Sequence, residues 1–458
     1  MTQYSDSARG MVIAIALCLL IHPLQAQKSP LVSGPMIGQV EYRTAAIWLE
    51  PSRDATSASI RYWRNGQDRS RGIKLSYKEP LGKAFNPITL QIGELEPGTE
   101  YQYELEVVSP SARTTRSGSF RTKELWQWRR DPPEVHFLAG SCNYVNEPGY
   151  DRPGKPYGGD SSIFLTMARE KSDFMLWLGD NWYTREVDYY SEWGLWYRAS
   201  HDRAAPVMQP LLKAMPQYAI WDDHDFGPND MGKEYVLKQA SRDVFSRYWA
   251  NPSYGEDGKG TYSKITYSDV DIFLMDDRTW RSTDDLEDSV NGQPNPIKKM
   301  YGDQQMDWLK NGLAASRAAF KIIATGSQVL NPVSPFDCFR KFPTEYHALM
   351  RFLKEERISG VLFLTGDRHH SEVIRTEGWT DYPLYDITSS PLTSGTHVFG
   401  PAEKNNPGRV YGLDQKQNYA MISITGKPAA RVLSVTFKGI QGEALGQWSV
   451  RAEELKAK

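Results

Sequence analysis

From residue 134 onward, short apolar runs alternate with helical patterns, and this alternation constrains the fold more than any other feature of the sequence. The runs are continuously apolar and rich in branched and aromatic side chains, which is typical of strands buried on both faces of a sheet. Because helical stretches separate the runs, we expect helices to cover both faces. The predicted strands are 135–140, 174–178, 217–221, 271–275, 320–324 and 361–364, and the predicted helices are 163–170, 207–214, 233–249, 303–319 and 344–356.

A cluster of polar residues follows each predicted strand. In sheets of this kind the strand ends line the crevice where ligands bind, so we expect the clusters to meet at one edge. Six unrelated turns would be a weaker explanation of the same pattern. The clusters are residues 140–143, 179–183, 221–230, 276–278, 326–328 and 366–370.

The densest cluster is Trp221-Asp222-Asp223-His224-Asp225-Phe226-Gly227-Pro228-Asn229-Asp230. Carboxylates this close in sequence repel one another unless a positive charge lies among them, which favours a metal site. The alternative is an acidic, solvated turn in which Gly and Pro reverse the chain. The other polar strand ends favour the metal interpretation.

The strand ends offer a mixed set of ligand atoms. The sulfur of Cys142 and the imidazole of His369 suit a transition metal. The oxygens of Asp180, Asp367 and Asn229 suit calcium or magnesium. A central carboxylate such as Asp180 is placed to bridge two ions, and two ions can clamp the oxygens of an in-line displacement at phosphorus. Taken singly, each residue has an ordinary alternative as a helix cap or a core side chain.

The N-terminal region follows a different pattern, since residues 31–123 read as short strands separated by turns such as Asn65-Gly66. Segments 45–49, 58–63, 88–92 and 101–107 have strand composition, and several of them alternate apolar with polar residues. Short strands at this spacing predict a β-sandwich. It contains no cluster of catalytic residue types, so we expect it to serve packing.

The first residues predict export. Residues 11–20 form an apolar run too short to span a bilayer, and a small residue, Ala26, follows at a suitable cleavage distance. We therefore predict a signal peptide over residues 1–26 and a periplasmic or extracellular protein; a short uncleaved anchor is the alternative. After cleavage only Cys142 and Cys338 remain, too few for a disulfide scaffold. A net charge of −2 gives no case for nucleic acid, and we expect a monomer without a membrane span.

Four motifs together resemble the PhoD-like alkaline phosphatases of the calcineurin-like metallophosphoesterase superfamily. They are Gly140-Ser141-Cys142, Leu178-Gly179-Asp180, Trp221-Asp222-Asp223-His224-Asp225 and Thr365-Gly366-Asp367-Arg368-His369, and the resemblance extends over about residues 30–450. It implies an α/β fold, a four-layer αββα sandwich over residues 134–450. An immunoglobulin- or fibronectin-like β-sandwich would precede it over residues 30–125. It also implies hydrolysis of phosphate esters, with alkaline phosphatase activity.

The resemblance further implies ferric iron (Fe3+) and calcium (Ca2+), with other divalent metals as alternatives. Cys142, Asp180 and His369 would hold iron, and Asp367 and Asn229 would hold calcium together with Asp180. Asp223 is a further candidate ligand. The remaining carboxylates of the 221–230 cluster are expected to cap the loop and to pair with arginines.

Two departures from the family pattern concern the ligands. Asn229 stands five residues after His224, where the best-known members have four. The family also uses a tyrosine ligand for iron upstream of the Trp-Asp-Asp-His motif, and in this chain the register leaves Tyr197 and His201 open.

Three side chains are candidates for the chemistry itself, in which a metal-activated hydroxide attacks phosphorus in line. Arg203 or Arg278 would neutralise phosphoryl oxygens, since a guanidinium matches them bidentately. Their alternative is an ion pair with a neighbouring Asp. His224 would orient the leaving group or donate a proton to it.

The substrate class stays open between a phosphate monoester and a diester, either small or part of a polymer. A phosphodiesterase acting on phospholipid or wall-polymer phosphodiesters is the runner-up. A non-enzymatic calcium-binding surface protein is the alternative of another class.

Overall fold

Alternating burial along the N-terminal strands produces a β-sandwich. The structure, a computed structural model, describes residues 29–458, so the predicted signal peptide lies outside the described residues. In the strand Glu100–Val108 every second side chain is buried, the pattern of a sheet with one solvated face. The strands of this region are β1 (Leu31–Val40), β2 (Ala45–Pro51), β3 (Ser57–Arg64), β4 (Ile73–Ser76), β5 (Ile88–Ile92), β6 (Glu100–Val108) and β7 (Arg113–Arg121).

These strands form antiparallel sheets in the orders β1-β2-β5 and β4-β3-β6-β7. Ile47 of one sheet and Ile60 and Leu105 of the other belong to the same buried core, so the sheets pack face to face. The predicted β-sandwich is confirmed. Strands β1, β4 and β7 were not predicted; β7, for example, is mostly polar and exposed.

The remaining elements alternate as the sequence predicts. They are β8 (Val135–Gly140), α1 (Ile163–Met167), β9 (Phe174–Leu178), α2 (Glu192–Arg203), α3 (Gln209–Ala214), β10 (Gln217–Ile220), α4 (Asp223–Phe226), α5 (Lys238–Tyr248), β11 (Ser263–Tyr267), β12 (Val270–Leu274), β13 (Ser289–Val290), β14 (Gln293–Pro294), α6 (Gly302–Ala315), β15 (Phe320–Thr325), α7 (Pro343–Glu355), β16 (Val361–Thr365), β17 (Ser371–Thr376), β18 (Leu384–Thr388), β19 (Arg409–Leu413), β20 (Tyr419–Thr425), β21 (Val432–Lys438) and β22 (Ala444–Arg451).

The two large sheets are mixed, with orders β10-β9-β8-β20-β21-β22 and β11-β12-β15-β16-β18-β17-β19 among the described residues. Strands β8, β9 and β10 are parallel, as are β12, β15, β16 and β18. Phe137 and Ile422 of the first sheet share a core with Ile322 of the second. Helices cover the outer faces, which confirms the four-layer α/β sandwich. Within residues 29–458, no helix is long and apolar enough to cross a membrane.

Several helices differ from their predicted extents. Helix α2 was not predicted because its buried face carries charge: Arg198 is bound to Asp188 at 2.8 Å and to Asp202 at 3.1 Å. Helix α5 begins at Lys238 rather than 233, and α6 ends at Ala315 rather than 319. At that end the hydroxyl of Ser316 donates to Asp271 at 2.6 Å, so a tertiary contact replaces another helical turn.

The sandwich packs against the α/β layers through β1 and β2. Trp48 Nε1 donates to the carbonyl of Arg247 at 2.7 Å. Glu50, which is 1% exposed, accepts hydrogen bonds from Ser200 Oγ at 2.8 Å and Tyr248 OH at 3.0 Å. Burial raises the pKa of Glu50 from 4.5 to about 7, against the opposing hydrogen bonds and the charge of Arg203.

Replacing Glu50 by Gln should flatten the dependence of stability on pH. The folded protein keeps the Glu50 proton up to about pH 7, while the unfolded chain loses it near 4.5, so the free energy of unfolding falls as pH rises through this window. The loss amounts to roughly 3 kcal/mol at pH 8, at about 1.4 kcal/mol per pKa unit. Gln keeps the accepting oxygen and has no proton to lose.

Denaturant unfolding at pH 5 and pH 8 measures the difference in the free energy of unfolding between variant and wild type. Taking this difference cancels the titration of other groups. The exposed Glu79→Gln is the control, and equal slopes for all three proteins would contradict the prediction.

Candidate metal centre

The polar strand ends converge at one edge of the sheets. The backbone amide of Cys142 donates to the carbonyl of Gly179 at 3.3 Å, and Asn143 donates to Asp180 at 2.8 Å. In the second sheet, Gly366 donates to Gly326 at 2.8 Å. The loops after these parallel strands are therefore bonded to one another, as the sequence predicts.

Three of the predicted iron ligands lie together and are buried. Ligand atoms of Cys142, Asp180 and His369 are all within 4.8 Å of one another. The thiol of Cys142 is 3.5 Å from Asp180 Oδ2. Tyr183 completes the group, because its hydroxyl is 3.0 Å from Asp180 Oδ2 and 3.1 Å from His369 Nε2. Sulfur, carboxylate, imidazole and phenol thus face one point.

The hydrogen bonds of His369 leave one ring nitrogen free for a metal. Its Nδ1 is 2.7 Å from the carbonyl of Gly395, which can only accept, so Nδ1 carries the proton. The lone pair is then on Nε2, the atom that faces Tyr183 and Asp180. A histidine oriented by a second hydrogen bond in this way is usual for a metal ligand.

The backbone at these positions is strained. Cys142, Asp180, Asp367 and His369 have φ of 61°, 52°, 66° and 57°, a region that residues other than glycine rarely adopt. Each such residue costs on the order of 1–3 kcal/mol, and such strain clusters at functional sites.

A second group of ligand atoms shares Asp180. Asp223 and His224 lie within the same distance limit of Asp180, and the amide of His224 is 3.3 Å from Asp180 Oδ1. The His224 ring stacks on Tyr183 with centroids 4.0 Å apart. Asp223 Oδ2 accepts from the amide of Asp230 at 2.8 Å, which closes the loop.

The other carboxylates of this loop are structural. Asp222 and Asp225 form a reciprocal capping box at the start of α4. Asp222 also accepts from Arg278 Nε at 2.7 Å. These residues cap and pair, as the sequence predicts, and do not enter the ligand groups.

The electrostatics of the buried groups fit a bound cation. Burial raises the pKa of Asp180 well above its ordinary value, and the charges of Asp223, Asp225 and Asp367 raise it further. Burial likewise raises the pKa of the Cys142 thiol well above its usual range. Burial also lowers the pKa of His369 to about 3, so its imidazole is neutral. Acids that resist ionisation, beside a neutral imidazole, become favourable ligands when a cation is present, so the residues fit a metal.

The structure does not bring every candidate into the ligand groups. Tyr197 donates to Glu147 Oε1 at 2.6 Å, and His201 Nδ1 is 2.8 Å from Asp202 Oδ1. Arg203 is 2% exposed, and its guanidinium lies 3.8 Å from the Trp249 ring and 3.0 Å from Met36 Sδ. Tyr197 and His201 thus serve a charged network around α2, and Arg203 serves the contact between sandwich and α/β layers.

The remaining candidates lie around the two groups. Asp367 is half-buried, and burial raises its pKa to about 7 although Arg368 opposes the shift. Asn229 is exposed, and its amide donates to Asp230 Oδ2 at 2.5 Å. Arg278 is buried and bound to Asp222 and Asp337, which is the ion-pair alternative stated for it.

Tyr183 is the site residue that the sequence interpretation missed. It lies three residues after Asp180, inside a strand-end cluster that was already identified. The register upstream of the Trp-Asp-Asp-His motif left Tyr197 and His201 open instead. The proximity of Tyr183 to Asp180 was the available signal.

Comparisons with known proteins identify the family and the fold of the chain. The model of the PhoD-like phosphatase family matches residues 137–440. Alkaline phosphatase D of Bacillus subtilis (strain 168) is 25% identical over 328 residues, which cover 60% of this chain and 52% of that protein. The chain thus spans about half the length of this curated relative.

Two solved structures share the fold. A structure of PhoD superposes with a TM-score of 0.73 at 17% identity, covering 94% of this chain and 92% of the other. The purple acid phosphatase PPD1 from yellow lupin (Lupinus luteus) seeds gives a TM-score of 0.64 at 11% identity, covering 91% and 74%. With the family model matching well over half of its length, the chain belongs to the PhoD-like phosphatase family.

Proposed function

We propose that this protein is an exported, metal-dependent hydrolase of phosphate esters of the alkaline phosphatase D type. The observation that carries the proposal is the position of Asp180, whose carboxylate belongs both to the Cys142–His369 group and to the Asp223–His224 group. Two ligand groups that share a carboxylate fit two ions a few ångströms apart, the arrangement used for in-line displacement at phosphorus. Residues 1–26 would be its signal peptide, and residues 30–125 and 134–450 its two domains.

The first group would hold ferric iron. A thiolate from Cys142, a phenolate from Tyr183 and the Nε2 lone pair of His369 suit a transition metal, and Asp180 adds an anionic oxygen. Tyr183 replaces Tyr197 and His201 as the proposed upstream ligand, because its hydroxyl is within 3.1 Å of both Asp180 and His369.

The second group would hold calcium. Asp223 and Asp367 supply carboxylate oxygens, and Asn229 at the exposed rim is a further oxygen donor. Metal ions bound in both groups would supply hydroxide near neutral pH and polarise the phosphoryl oxygens.

The protein's own side chains would orient the substrate. Burial lowers the pKa of His224, and the N–H of its neutral imidazole can donate a hydrogen bond to a leaving oxygen and orient it. The ring is fixed for this purpose by its stack on Tyr183. Arg278 would act through Asp222, whose carboxylate it binds, rather than through the phosphoryl oxygens.

The test is a paired assay on the full-length chain. Metal content is measured by mass spectrometry, and hydrolysis is measured with a chromogenic phosphate monoester and a chromogenic diester. We expect iron and calcium, and turnover of the monoester that chelation abolishes. Turnover of the diester alone would favour the phosphodiesterase. No metal and no turnover would overturn the proposal in favour of a binding protein.

Tyr183 and Tyr197 form a matched pair for testing the iron ligand. A phenolate bound to ferric iron gives a visible charge-transfer colour, so Tyr183→Phe should lose the visible band of the iron-loaded protein. Tyr197→Phe should keep it, because that hydroxyl is bound to Glu147. Absorbance spectra of both variants at equal iron content provide the measurement. Loss of the band in Tyr197→Phe alone would reverse the assignment.

A further inference from the structure

A third group of potential metal ligands lies beside the proposed metal centre. Atoms of His370, Glu372 and Glu403 are within 4.8 Å of one another, and all three residues are buried. Each carboxylate, however, already has a cation: Arg409 Nε is 2.6 Å from Glu372 Oε2, and Arg368 Nη2 is 2.7 Å from Glu403 Oε1. A divalent ion would add an uncompensated charge to this neutral, buried set. The group therefore consists of two ion pairs and is not a metal site.

One of these pairs holds the loop that carries proposed metal ligands. Arg368 stands between Asp367 and His369, whose φ values of 66° and 57° are both strained. Such a turn persists only where its surroundings fix it. The Arg368 side chain is 5% exposed, and its guanidinium lies 4.6 Å from the Phe336 ring while it binds Glu403. Its contacts with Glu403 and Phe336 therefore restrain the turn between Asp367 and His369.

Glu403 is itself fixed by neighbouring elements. Its side chain is 2% exposed, and Oε1 also accepts from Asn331 Nδ2 at 3.2 Å. Asn331 is bound in turn to Gln328 at 2.9 Å and Asn406 at 3.0 Å. Gln328 belongs to the strand-end cluster after β15, so Glu403 ties the 367–369 turn to the neighbouring strand of the same sheet.

We propose that Glu403 is a positioning residue: through Arg368 it holds the strained turn in the conformation that presents Asp367 and His369 to the metal ions. It supplies no ligand atom. This role rests on the proposed metal centre.

The test compares Glu403→Gln with Asp269→Asn in the full-length protein loaded with iron. Asp269, in the turn between β11 and β12, forms a partly buried ion pair with Arg431, whose Nε is 2.9 Å away. Both variants lose the negative charge of one ion pair, so both report general destabilisation. Only Glu403→Gln should release iron to EDTA at concentrations about 10–100-fold below those needed for the wild type, the range for residues that orient ligands. Excess metal in the assay should restore its hydrolysis rate, which a merely structural defect would not allow.

Thermal unfolding of the metal-depleted proteins shows whether each variant folds. If Glu403→Gln fails to fold, Arg368→Lys supplies the same readout. Lys keeps the charge but cannot both pair with Glu403 and stack on Phe336. The Arg368→Lys protein should release iron at EDTA concentrations between those needed for Glu403→Gln and for the wild type. Iron retention by the folded variants equal to that of wild type, or no weaker than that of Asp269→Asn, would overturn the inference while leaving the proposed function intact. A wild type that binds no iron would overturn the proposed function and this inference with it.

Discussion

Asp180→Asn is expected to abolish hydrolysis of phosphate esters while leaving the fold intact. Asp180 contributes to both ligand groups, so the loss of its charge weakens both proposed ions at once. The expected fall in kcat/KM exceeds ~100-fold, because changes in residues that only orient ligands already reach 10–100-fold. The substitution should not destabilise the chain. Asn tolerates the φ of 52° at this position, and its oxygen can still accept from Tyr183.

The matched control for this prediction is Asp173→Asn. Asp173 directly precedes strand β9, at the end opposite to Asp180, and its Oδ2 accepts from the amide of His136 at 2.8 Å. It is remote from the ligand groups, so kcat/KM should remain within about twofold of wild type. Steady-state kinetics, metal content and thermal unfolding are measured for both variants. Turnover by Asp180→Asn within tenfold of wild type would disprove the assignment of Asp180.

Arg278→Ala is expected to destabilise the protein by about 3–5 kcal/mol, the usual result of removing one partner of a buried ion pair. Arg278 is 1% exposed and binds Asp222 through Nε at 2.7 Å and Asp337 through Nη2 at 2.9 Å. Without it, the buried carboxylates of Asp222 and Asp337 lose their cation beside Asp223, and either a buried charge or an added proton then costs free energy. The free energy of unfolding is measured by denaturant titration of the metal-depleted protein.

Two further variants separate charge from packing at Arg278. Asp222→Asn in the Arg278→Ala background should recover part of the lost stability, since it removes one of the two buried carboxylates that have lost their cation. Arg451→Ala is the control: its partners Glu453 and Glu454 are exposed, and the expected change is below about 1 kcal/mol. A loss below 1 kcal/mol for Arg278→Ala, or no recovery in the double variant, would contradict the structural role given to this arginine.

The sequence predicts the layers of the fold well because the apolar runs report burial directly. Cys142, Asp180 and His369 could be identified because each follows a strand that is apolar and almost wholly buried. The upstream tyrosine could not be assigned in the same way. Tyr197 lies in helix α2, whose buried face is formed by ion pairs of Arg198, so no apolar periodicity marks its direction.

The position of Arg203 was also beyond the sequence. Its guanidinium packs against Trp249 and Met36, the latter from the N-terminal sandwich. A contact between distant segments leaves no local pattern, and a charged residue near a motif is then easily assigned to chemistry. The same reason explains why the sequence did not indicate a role for Glu403. This residue lies 36 residues after Asp367 and belongs to no motif.

The carboxylate that the two ligand groups have in common makes them thermodynamically dependent on each other. Any ion that occupies the Cys142–His369 group changes the charge that Asp180 offers to the Asp223–His224 group. By linkage, the factor by which the first ion alters the affinity for the second must equal the factor in the reverse direction. Titration with one metal should therefore shift the binding curve of the other, and a single affinity per ion would not describe the proposed centre.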